Sequence, residues 1–124
     1  MELNYDNVIE NLLVEIPEFA KDRCKEADHI PDEQFIYFTK FLVDHMSKEF
    51  EYQDLINRSF NFINRVEEDA SNENGLRSII DNFYIAIIHF GTKCVEVAKG
   101  KLSKNSLDRL RYFSNFHAPP PQDL

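Results

Sequence analysis

One stretch constrains this chain more than any other. Residues 79–90 read Ile-Ile-Asp-Asn-Phe-Tyr-Ile-Ala-Ile-Ile-His-Phe, and nine of the twelve are apolar. At helical period Ile80, Phe83, Tyr84, Ile87 and Ile88 share one face, with Ile79, Ala86 and Phe90 flanking it. So wide an apolar arc predicts a central helix with neighbours on several sides. Isoleucine also favours sheets, so a strand over 85–90 is the competing reading. The stretch is too short to span a bilayer.

The remaining segments follow the same period. Tyr5, Val8, Ile9, Leu12, Leu13 and Ile16 predict a first amphipathic helix, with Asn4 as its cap and Pro17 ending it. Residues 18–28 predict a short polar helix opened by Pro17, and Pro31 marks a further break. Asp32 is the expected cap of the next helix, whose main face is Phe35, Phe38, Thr39, Leu42, Val43 and Met46. Tyr37 and Phe41 lie off that face, so this helix is apolar on two sides.

A break is placed at 50–52 on periodicity alone. Leu55, Ile56, Phe60, Ile63 and Val66 then form a helix, with Phe62 at its flank. That helix finishes in Glu67, Glu68 and Asp69, where acids oppose the macrodipole. Residues 70–75 read as a polar loop, with Ser71, Asn72 or Asn74 capping the central helix. Gly91 either ends that helix or lies inside a longer one. Val95, Val97 and Leu102 continue the pattern, and Ser103 or Asn105 starts a last helix bearing Leu107, Leu110, Phe113 and Phe116. With only three glycines in 124 residues, a turn-rich β fold is disfavoured. The expected fold is all-α: a single-domain bundle of roughly five to seven helices over 1–117, followed by a flexible Pro-rich tail at 118–124.

Chemistry is sparse. His29, His45, His89 and His117 form no metal-binding pair by sequence spacing, and Cys24 and Cys94 are expected to be reduced core thiols. His89 prolongs a polar stripe with Asp81 and Asn82, read as a buried polar cluster or a solvent-facing edge. Glycine-rich phosphate loops and nucleophile elbows are missing from the sequence. The expectation is therefore no enzyme, no cofactor and no metal. The acidic start lacks a basic leader, so a cytoplasmic location is expected.

Net charge is −8, and it is uneven: −7 over 1–34, −4 over 35–75 and +3 over 76–124. An acidic field repels nucleic acid and anionic membrane and attracts a basic partner. Neither nucleic acid nor membrane is expected as a partner, and some C-terminal bases are expected to neutralise the acidic N-terminal third. Glu67, Glu68, Asp69 and Glu73 are the candidate partner-binding acids, expected at an exposed edge between two helices. Tyr52 or Phe62 would supply an apolar anchor.

The order of features resembles a group of small bacterial helical proteins. The resemblance lies in Ile16, Pro17, Glu18 and Phe19 after the first helix, the aromatic helix at 35–46, and Phe62 and Ile63 followed by Glu67 and Glu68. It continues through the polar link to the apolar helix and Phe90-Gly91, and so spans most of residues 5–116. The chain departs from the pattern at Gly100, Lys101 and Leu102, where a Leu-Gly-Pro-like turn is often seen. Such proteins are similar to the immunity proteins of toxin–immunity systems, including contact-dependent growth inhibition and other polymorphic toxins. The resemblance implies an all-α fold and a toxin as protein ligand, with a basic nuclease as one form of that toxin. It supplies no catalytic residue. The alternative is a small acidic adaptor or secretion-chaperone-like module without a toxin partner.

Overall fold

The computed structural model describes residues 2–23 and 30–117. The order is α1 (Val8–Glu15), a 3₁₀ turn (Pro17–Lys21), α2 (Pro31–Met46), α3 (Gln53–Asp69), a 3₁₀ turn (Ala70–Asn72), α4 (Asn74–Phe90), α5 (Thr92–Lys99) and α6 (Lys104–Ser114). The fold is all-α, and it is a single compact bundle. Among the described residues no helix is long and apolar enough to cross a membrane. Cys24, His29, residues 24–28 of the helix expected at 18–28 and the tail expected at 118–124 lie outside the described residues.

Helix α4 is central, as its apolar arc requires: it packs against α2, α3, α5 and α6. Leu76, Ile79, Ile80, Phe83, Tyr84, Ile87 and Ile88 are all buried. The 85–90 stretch is helix, so packing of Ile87 and Ile88 in the core has overridden the β preference of its isoleucines. Phe83 is a hub, with ring centroids 6.3 Å from Phe35 on α2 and 6.5 Å from Phe60 on α3. Phe35 meets Phe38, and Phe38 and Phe41 both meet Phe19 of the first 3₁₀ turn. The second apolar side of α2 is thereby covered within the fold at Phe41, while Tyr37 is left exposed.

The helix ends have local causes. Asn4 Oδ1 accepts the Asp6 and Asn7 amides at 2.9 and 3.0 Å, forming the turn that leads into α1. Pro17 ends α1 and opens a 3₁₀ turn. Asp32 does not cap α2. Pro31 occupies the first turn, and the Asp32 carboxylate instead accepts the Tyr5 hydroxyl at 2.6 Å. Ser103 Oγ caps α6 by accepting the Ser106 amide. Gly91 ends α4: its φ of 121° lies in the left-handed region, which a side chain would strain.

Two substitutions test this packing. Phe83→Ala should lose about 3–5 kcal/mol, seen as a lower urea midpoint with the helical spectrum retained at zero urea. At Gly75 an added Cβ would come within 2.7 Å of the Tyr5 ring. Gly75→Ala should therefore cost about 1–3 kcal/mol, and much of that loss should vanish in a Tyr5→Ala background.

Candidate protein-binding surface

The carboxylates of the α3–α4 corner do not behave alike. Glu67 is buried, at 6% exposure, which corrects the expectation that it stands at an exposed edge. It receives a bidentate pair from Arg77, Nη2 to Oε1 at 2.7 Å and Nη1 to Oε2 at 2.8 Å, and Tyr84 donates its hydroxyl to Oε1 at 2.7 Å. Arg77 and Arg109 both also reach Asp81, so one charged network links α3, α4 and α6. The guanidinium of Arg109 lies over Tyr112 and Phe113, 5.2 Å from each ring centre.

Asp69 and Glu73 are half-buried and serve the backbone. Asp69 Oδ2 accepts the Leu3 amide at 2.7 Å. Glu73 Oε2 accepts the Tyr5 amide at 2.7 Å, while its two oxygens take the Gly75 and Leu76 amides at the start of α4. Glu73 is thus the cap of α4, in place of the Ser71, Asn72 or Asn74 expected from sequence. Of the four candidate acids only Glu68 is exposed. Phe62, at 2%, is part of the core.

Two acids of the N-terminal third have partners in the middle of the chain. Glu18 is met by Arg58 and Glu15 by Arg65, both on α3. The hydrogen bond from Arg58 holds the Glu18 carboxyl below its ordinary value.

Tyr52 is the other candidate, and it lies in a second acidic region. Residues 44–54 carry Asp44, Glu49, Glu51 and Asp54 against the single base Lys48. The turn joining α2 to α3 occupies the middle of this stretch. Its backbone is bonded at several points: Lys48 N–H to His45 O, and Glu51 and Tyr52 N–H to Lys48 O, at 3.0–3.2 Å. The His45 ring donates to the Phe41 carbonyl at 2.8 Å and lies 4.6 Å, edge-on, from Tyr52. At the tip of this turn Phe50 is 98% exposed, between Glu49 and Glu51.

Sequence reasoning placed the break here and missed Phe50. The period itself hid it, because Phe50 continues the phase of Val43 and Met46 and so reads as one more core position of α2; the acid on each side was the remaining signal. Arg109 and Tyr84 were missed for another reason: their partners lie 28 and 17 residues away.

No protein-family model, curated protein or solved structure matches this chain. The case for a site therefore rests on the molecule itself. A hydrogen-bonded turn presenting one bare aromatic ring with a glutamate on each side in sequence can anchor in an apolar pocket and attract cations.

The division of labour among the acids is testable. Glu67→Lys would place a lysine against Arg77 in a buried setting and should cost several kcal/mol or prevent folding, read by thermal denaturation. Glu68→Lys should change stability by less than about 0.5 kcal/mol. Alkaline pH is a second test. Burial first, and donation to Glu67 as well, push the Tyr84 hydroxyl well above its ordinary value, although Ser106 acts the other way. Tyr5 is raised chiefly by its hydrogen bond to Asp32. A phenol raised by folding adds stability below its unfolded value of about 10, and that stability is lost as pH rises through the folded value. Urea midpoints should fall above pH ~10, and less steeply in Tyr84→Phe.

Proposed function

We propose that this chain is an immunity protein that binds a cationic toxin domain and blocks its active site. The observation that supports the reading is the Phe50 turn. A Phe at 98% exposure gains nothing for the fold, whereas a partner pocket would gain most of its apolar area. Glu49 and Glu51 flank it in sequence, and Tyr52, two residues on, stands against His45, while Asp54 is already engaged by Arg58. The toxin as occupant comes from the resemblance described above, and the charge specifies a basic one.

The mechanism needs no chemistry from this chain. A nuclease cleft, for instance, must attract phosphate and so carries Lys or Arg. Carboxylates of the turn would pair with those bases and speed association at low salt, while Phe50 would slow dissociation once seated. Substrate would then be excluded by occupancy.

The experiment is co-production of the chain with a candidate basic toxin domain. Wild type should protect the cells and bind the purified domain. Phe50→Ala should weaken binding by about 2 kcal/mol or more with an unchanged melting temperature. Glu49→Lys with Glu51→Lys should slow association and flatten its salt dependence. Binding without protection would favour the adaptor reading. Full protection and unchanged affinity in the Phe50→Ala, Glu49→Lys, Glu51→Lys triple variant would remove this turn from the interface.

A further inference from the structure

A different end of the molecule carries a second kind of chemistry. His89 lies in the last turn of α4, and His117 lies three residues past the end of α6. They are 28 residues apart in sequence, yet His89 Nε2 and His117 Nδ1 are 3.0 Å apart. Their ring centroids are 5.1 Å apart, with the planes at 77°. His89 is exposed and His117 half-buried, so water and ions reach the pair.

We infer that His89 and His117 form a surface site for one divalent late transition-metal ion, of the Ni²⁺ or Cu²⁺ kind. Imidazole nitrogens bind such ions at about 2.0–2.1 Å, so two cis ligands stand roughly 2.9–3.4 Å apart. The observed 3.0 Å falls at the short end, which suits the near-right-angle positions of octahedral or square-planar ions better than tetrahedral Zn²⁺. In the metal-free chain one ring donates its N–H to the other. If the donor proton is on His89 Nε2, a shift to its Nδ1 leaves two lone pairs facing each other without loss of a proton from the ring.

The rings now point nearly along the line between the two nitrogens. Each must swing by about 40° to aim at a shared ion, a motion that the broad terminal torsion of histidine permits. The setting favours a cation for a second reason. The pair sits where α4 and α6 both end, and helix C-termini present unpaired carbonyls and partial negative charge. Two protein ligands leave the remaining positions to water, so the site is open and its affinity modest. Binding would tie the end of α6 to the end of α4 and stabilise both by linkage.

The test uses tag-free full-length chain and NiCl₂ at about pH 7.5, where imidazole is mainly neutral. Calorimetry should show one equivalent bound at micromolar affinity, and the melting temperature should rise with Ni²⁺. His89→Gln and His117→Gln should each weaken binding by about a hundredfold, since each removes half of the chelate. His45→Gln should leave the affinity unchanged. Both sites are at the surface, so circular dichroism should match wild type in every variant. Absence of saturable Ni²⁺ uptake by the wild type overturns the proposal, as does equal uptake by both Gln variants. A metal-induced shift confined to the ring resonances of His29 or His45 overturns it too.

Discussion

Three backbone amides from two separate segments end on one side chain, Glu73, and much of the bundle's arrangement depends on that meeting. Two of the amides belong to the first turn of α4, which would otherwise have orphaned donors. The third belongs to Tyr5, whose ring then packs on Gly75 and whose hydroxyl reaches Asp32 on α2. Asp69 repeats the arrangement one step earlier, on Leu3. The N-terminal segment is thus held by carboxylates at the α3–α4 corner, and α1 follows from it. An aspartate or serine could cap α4. Its shorter reach would not place a second oxygen on Tyr5, which is why glutamate suits this cap.

The aromatic core adds shape to that frame. Rings run from Phe19 through Phe38 and Phe35 to Phe83, and from there to Phe60 and Tyr84. Edge-to-face contacts of this kind depend on angle, so they fix how α2 and α3 sit on α4 more firmly than aliphatic contacts would. Tyr84 extends the series to a polar end, because its hydroxyl meets Glu67 in the Arg77 network. Breaking one member of that network leaves a buried charge without its partner, so the acids at the end of α3 serve specificity of packing more than surface charge.

Much of this could be read from the sequence, and the failures share a cause. The period of residues 79–90 identified the central helix, and Ile80, Phe83, Tyr84, Ile87 and Ile88 are its buried face. Pro17 and Ser103 marked real boundaries because their effects are local. Glu67, Asp69 and Glu73 were misjudged as a solvated cluster because their partners come from elsewhere: Arg77 and Tyr84 on α4, and Leu3 and Tyr5 at the N-terminus. Periodicity reports which side of a helix is apolar. It does not report which distant amide a carboxylate will accept. The cap of α4 failed in the same way, since local preference favours Ser or Asn and a distant amide favoured Glu73.

The same physics separates structural acids from available ones. A carboxylate that accepts buried amides or a bidentate arginine cannot also receive a partner's lysine without first giving up those bonds. Each such exchange loses about as much as it gains, so Glu67, Asp69 and Glu73 offer little net attraction. Glu49, half-buried, and Glu51, exposed, stand on a turn whose Lys48, Glu51 and Tyr52 amides are bonded to backbone carbonyls. Their charge can act outward at no cost to the fold. Phe50 is in the same position: its removal takes no contact from the core, and its burial by a partner would be gain alone. On the proposed reading the turn between α2 and α3 separates binding from stability, whereas Glu67, Asp69 and Glu73 of the α3–α4 corner are committed to the fold.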